Sequence, residues 1–145
     1  MIVPTPRITA FVQSQEVLLL DQTPLPDGTI YVGWGHLVQP TDGLPSRIST
    51  SQALNLLTAD LQTLAGCLNA AVTVPLTAGQ ATALMDFVYN VGCQAFNRSL
   101  FPSTLALADF GKAATLFLQY VTNANDLAIF GVAGRRQAEA AQFIS

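Results

Sequence analysis

Glu16 is one of only two glutamates in the chain, the other being Glu139, and it falls where a short helical pattern gives way to a stretch rich in proline and glycine. A carboxyl group in such a place is equipped to give or take a proton. A carboxylate is unfavourable at a helix C-terminus, where the macrodipole is negative, so the position argues against mere decoration. A solvated helix-end residue is the plain alternative. Downstream, Gly33-Trp34-Gly35-His36 sets an aromatic ring between two glycines, which lets a ligand or a neighbouring helix approach the backbone. His36 is the only histidine, and the two cysteines, Cys67 and Cys93, form no Cys-x-x-Cys arrangement. No structural zinc site is expected, and no metal or cofactor is assigned. The two cysteines allow at most one internal bridge, and buried, reduced thiols are the preferred reading over a disulfide.

These residues need a scaffold. Ile8, Phe11, Val12 and Gln15 recur at helical spacing, which predicts a short helix over 8–16. Residues 17–48 carry Pro24, Pro26, Pro40 and Pro45 with Gly28, Gly33, Gly35 and Gly43, a density that excludes a long helix and favours short strands joined by turns. Asp27-Gly28 between the apolar stretches 17–20 and 30–32 predicts a hairpin. From Ser49 onward the periodicity is helical. Ala53, Leu56, Leu57, Leu61, Leu64 and Leu68 form one stripe behind a cap supplied by Ser49, Thr50 or Ser51. After Pro75, Thr77 and Gln80 read as a capping box for a helix that carries Ala83, Leu84, Phe87, Val88 and Val91 and ends at Gly92. Further helices are expected over 99–108, 112–122 and 135–144, with Pro102 in a first turn. Phe87, Tyr89, Phe96, Phe117 and Tyr120 are expected in the core. The fold class is α+β, mainly α, in a single domain over 1–145. A small N-terminal antiparallel β-lobe covers about 17–48, and a helical lobe covers about 49–145 together with the helix 8–16. A groove between the lobes is the natural place for a ligand.

Composition narrows the class further. Of 145 residues 50% are hydrophobic and 10% charged, and the mean hydropathy is +0.41, which excludes disorder. The apolar run 17–20 is far short of the roughly 18 residues of a bilayer span, so no membrane insertion is expected. The segment from Met1 to Arg7 has no secretory-signal pattern. With a net charge of −3, a pI near 4.7 and Arg135-Arg136 as the only adjacent basic pair, nucleic acid is not an expected partner.

Taken together, the layout resembles the phage-type lysozymes, a glycoside hydrolase family of endolysins and muramidases. Glu16 and His36 stand at the family's separation, with Gly28, Gly33 and Gly35 in register between them. Ile48-Ser49, Ala53, Leu57 and Asp60-Leu61 follow its first long helix. Val74-Pro75-Leu76, Gln80, Ala83-Leu84, Phe87, Asn90-Val91-Gly92, Ala95-Phe96 and Ser99 follow its most recognisable block. Gly131 and Arg135-Arg136-x-x-Glu139 match its C-terminal signature.

The resemblance implies a lysozyme-like two-lobe fold and cleavage of the β-1,4 bond between N-acetylmuramic acid and N-acetylglucosamine in peptidoglycan. Glu16 then serves as the general acid that protonates the leaving oxygen. His36 and Asp60 pair as a structural salt bridge, and Tyr31, Gly35 and Asn90 contact substrate. Arg135 and Arg136 have two open readings, as basic partners of Glu16 or as anchors of the last helix. Three positions depart from the family pattern. Leu25 stands where the second acid belongs, Tyr31 replaces the threonine that orients water, and Thr23 replaces a tyrosine. Side chains two apart on a strand share a face, so in a regular hairpin Asp27 and Thr29 could supply a displaced acid and hydroxyl. Asp27 also fits an ordinary turn role. Alternatively Glu16 acts alone while the sugar's own 6-hydroxyl closes a ring, which is lytic transglycosylation. A rival reading is a lysozyme-like structural or peptidoglycan-binding component of a virion, in contact with other virion proteins, that has lost turnover. The expected location is the host cytoplasm until lysis, or the virion.

Overall fold

The computed structural model describes residues 1–121 and 132–145. It is mainly helical with one three-stranded antiparallel sheet, the class the sequence predicts. Internal contacts divide it into two compact units, Pro4–Thr63 and Leu64–Ser145 with Met1–Val3.

The first unit opens with α1 (Pro6–Gln15), which starts earlier than the periodicity suggests. The cause is a cap: the Thr5 hydroxyl accepts from the Ile8 N–H at 3.3 Å, and Pro6 fills the first helical position, where its missing N–H costs nothing. The sheet follows as β1 (Leu19–Pro24), β2 (Ile30–Gly33) and β3 (His36–Leu37), in that order. The strand expected at 17–20 is displaced: Val17 is 75% exposed, and β1 runs on through Asp21, Gln22 and Thr23. Those polar residues are accommodated because the other edge of β1 is covered. Gln22 N–H donates to the Ser46 carbonyl, Ile48 N–H donates to that of Leu20, and Arg47 Nη1 lies 2.6 Å from Asp21 Oδ2. Beneath the sheet, Val32, Ile48 and Ala53 form a core with Leu18, Leu20, Trp34, Val38, Leu44 and Leu56. Gly33, at φ +67°, is where α2 (Thr50–Ala71) approaches the sheet, for an added Cβ would stand 3.4 Å from Ala53 Cβ. Ser49 is the residue that caps α2, in a reciprocal box with Gln52.

In the second unit α3 (Ala78–Val91) is buried along most of its length, and Thr77 and Gln80 cap it as expected. Gly92, at φ +87°, ends it. Around it pack α4 (Cys93–Arg98), α5 (Phe101–Ala106), α6 (Phe110–Leu116) and α7 (Val132–Phe143). The periodicity did not reveal α4, and α6 starts ahead of Lys112 because the Asp109 carboxylate accepts from the Lys112 N–H at 3.0 Å. Thr122 and Gly131, which the sequence reading used, lie outside the described residues. Phe87, Phe96, Phe101, Phe117 and Tyr120 make one aromatic cluster, with Phe101 ring centroids 4.9 Å from Phe87 and 4.7 Å from Phe117.

The reduced-thiol expectation is overturned. Cys67 in α2 and Cys93 at the start of α4 form a disulfide, with Cα atoms 6.2 Å apart. Spacing in a sequence does not announce such a pairing; the turn at Gly92 brings the two residues together. Closing a loop of this length stabilises the fold by about 3–4 kcal/mol in the chain-entropy model.

Candidate functional site

Glu16 stands just past the last turn of α1. Its backbone has already left the helix, at φ −111° and ψ 151°, while its N–H still donates to the Val12 carbonyl at 3.1 Å. The side chain is half-buried. The helix end fixes where this carboxyl leaves the main chain, three residues before the sheet begins at Leu19.

The hairpin does not have the regular form that would put Asp27, Thr29 and Tyr31 on one strand face. β1 stops at Pro24 and β2 starts at Ile30, so the intervening residues make the turn. Gly28 N–H donates to the Leu25 carbonyl at 3.0 Å, Pro26 sits second in that turn, and Gly28 takes φ +87°. Asp27 Oδ1 accepts from Thr29 N–H at 2.9 Å and from Thr29 Oγ1–H at 2.6 Å. These bonds hold the exposed Asp27 carboxyl below the usual carboxylate range. Leu25 is 44% exposed. Tyr31, half-buried, faces Thr23 across one ladder and Leu37 across the other. Gly35, at φ +84° in the turn between β2 and β3, offers only backbone.

His36 is held from both sides. Its Nδ1 lies 2.7 Å from Asp60 Oδ2 and its Nε2 lies 2.9 Å from Asp42 Oδ2. A ring with a carboxylate on each nitrogen needs a proton on each, so the imidazolium is the form that fits. Burial disfavours that charge, but the hydrogen bonds and charges of Asp42 and Asp60 outweigh it and hold the His36 pKa above its ordinary value. Burial pushes the Asp60 carboxyl up, whereas the Gln39 N–H, donating at 2.7 Å, and then His36 draw Asp42 down. Asp42 escaped the sequence reading; its only signal is the local box it makes with Gln39. A raised histidine pKa stabilises the fold fully below the unfolded value of about 6.5, and that contribution is lost as pH rises through the folded value. The thermal midpoint of the wild type should therefore exceed that of His36→Gln most near pH 5.5, and the gap should narrow steadily toward alkaline pH. A gap independent of pH would show that the imidazolium is not what stabilises this corner.

In the second unit a buried charge cluster joins α7 to α3. Arg135 forks onto Asp86, Nε to Oδ2 and Nη2 to Oδ1, both at 2.9 Å. Arg136 Nη2 donates to Asn90 Oδ1 and to Glu139 Oε1, each at 2.8 Å, and its guanidinium centre lies 4.7 Å over the Phe87 ring. Burial pushes the Glu139 carboxyl up, and its hydrogen bond with Asp86 adds to that. Both arginines thus anchor the last helix, through Asp86 and Asn90, and Asp86 is a partner the sequence reading missed. Asn90 itself is exposed near the end of α3.

The phage lysozyme family model matches residues 13–139. The endolysin of Acyrthosiphon pisum secondary endosymbiont phage 1 is 32% identical over 79% of this chain and 79% of its own length. Among solved structures, a variant of P22 lysozyme superposes with a TM-score of 0.86 at 27% identity, covering 100% of both chains. The muramidase domain of SpmX from Asticaccaulis excentricus does so at 0.87 and 26% identity, covering 97% of each.

Proposed function

Because the chain belongs to the phage lysozyme family, with endolysin relatives, it is a peptidoglycan-degrading glycoside hydrolase, and we propose that Glu16 is its general acid at the β-1,4 bond between N-acetylmuramic acid and N-acetylglucosamine. Such cleavage requires a carboxylic acid to protonate the leaving oxygen while positive charge builds on the sugar ring, and a second group that stabilises the ring or steers water. The observation that carries the reading is Glu16 itself, a half-buried carboxyl at the C-terminal end of α1, inside the matched residues 13–139. Asp27, kept ionised by Thr29, is the second carboxylate in this reading, and Thr29 its hydroxyl. Tyr31, Gly35 and Asn90 contact the glycan.

One observation favours a second route. Asp27 and Thr29 are bound to each other in the turn, and a hydrocarbon, Leu25, stands where the family carries its second acid. Glu16 acting alone, with the muramic acid 6-hydroxyl as internal nucleophile, needs no such group. Mass spectrometry of muropeptides released from purified peptidoglycan separates the outcomes. Reducing ends mean hydrolysis, anhydro ends mean transglycosylation, and no product leaves a binding component of the virion. Leu25→Asp should raise hydrolytic turnover by about tenfold or more, a fraction of what a positioned second group contributes; unchanged or lower turnover would reject the mapping of that position. Among the described residues no helix is long and apolar enough to cross a membrane. Action from the host cytoplasm at lysis, or from the virion beside other virion proteins, is part of the same proposal.

A further inference from the structure

We infer that Arg136 is a positioning residue for glycan recognition: by holding the carboxamide oxygen of Asn90 it turns the Asn90 NH2 group outward as a neutral donor for acetamido and hydroxyl oxygens of the sugar. The inference rests on the peptidoglycan reading above and adds the buried side chain that decides which end of Asn90 a ligand meets. Arg136 is 0% exposed. A guanidinium has donors and no acceptor, so the Asn90 atom 2.8 Å from Nη2 is the oxygen, and the NH2 group is directed away from the cation. The other Nη2 hydrogen goes to Glu139 Oε1 at 2.8 Å. Arg136 Nε stands 2.7 Å from Glu139 Oε2 without aiming its hydrogen there, and neither Nε nor Nη1 makes a hydrogen bond among the described residues. Among the described residues Nη2 therefore makes the hydrogen bonds of the guanidinium, and the Phe87 ring 4.7 Å beneath its centre restricts its plane. Asn90 lies two residues before the left-handed Gly92, which ends α3. An exposed asparagine ordinarily turns its carboxamide either way in water; here the interior of the unit has fixed one face. Neutral N–H donors suit N-acetylated sugars, whose exposed groups are amide and hydroxyl oxygens rather than strong charges.

The test measures sedimentation of the protein with purified sacculi in a Glu16→Gln background, which removes turnover from the readout. Asn90→Asp keeps the oxygen that Arg136 holds but deletes the donors; Asn90→Ala deletes both without adding charge. Each should weaken binding by about tenfold, the equivalent of one hydrogen bond, with no loss of thermal stability in Asn90→Asp. Arg136→Lys should weaken binding to a similar extent and add little on top of Asn90→Ala, because it acts through the same amide. Wild-type affinity in Asn90→Asp, or penalties for Arg136→Lys and Asn90→Ala that simply add, would overturn the inference. If the unsubstituted chain releases no muropeptides, the catalytic proposal for Glu16 fails, while these binding measurements still decide the role of Arg136.

Discussion

Glu16→Gln is expected to reduce muropeptide release by about 100- to 10,000-fold, the range that removal of a positioned proton donor produces. The carboxamide preserves shape and hydrogen-bonding atoms but cannot release a proton to a glycosidic oxygen, so substrate binding should survive. Glu16→Asp tests position separately from acidity. It retains the carboxyl but draws it back by one methylene, and a displacement of about 1 Å costs on the order of 100-fold. A Glu16→Gln protein within tenfold of the wild type, measured on the same sacculi, would remove Glu16 from the reaction and leave the fold assignment standing alone.

The largest expected effect on stability comes from Asp86. Its side chain is 0% exposed and receives both prongs of the Arg135 fork. Asp86→Leu takes from the buried Arg135 guanidinium the carboxylate on which it forks, a change that costs about 3–5 kcal/mol. In a chain of this size that corresponds to a fall of roughly 10–15 °C in the thermal midpoint. Pairing it with Arg135→Met removes the buried charge as well and should restore at least half of the loss, since a packed apolar pair often replaces a buried ion pair at little cost. Scanning calorimetry of the single and double variants checks this. Equal midpoints for the two would mean that the fork contributes through packing and not through charge.

Much of this protein was written in local spacing. The stripe along α2, the Thr77–Gln80 box, the stop at Gly92, and the proline and glycine density that breaks residues 17–48 into short elements all follow from interactions within a few residues. Caps explain where the boundaries slipped: Thr5 starts α1 early and Asp109 starts α6 early, because a single side-chain oxygen satisfies an orphan N–H that periodicity does not register. The position of Glu16 at a helix end was legible for the same local reason. Tertiary structure alone decided that Cys67 and Cys93 are bonded, that Asp42 completes the cradle of His36, and that Arg135 reaches Asp86 across 49 residues of chain. It also decided that Asp27 and Thr29 spend their groups on each other in a turn rather than lining a strand face. Such pairings depend on how far the chain folds back before two side chains meet, and a buried charge chooses whichever opposite charge that packing delivers, which residue order by itself does not encode.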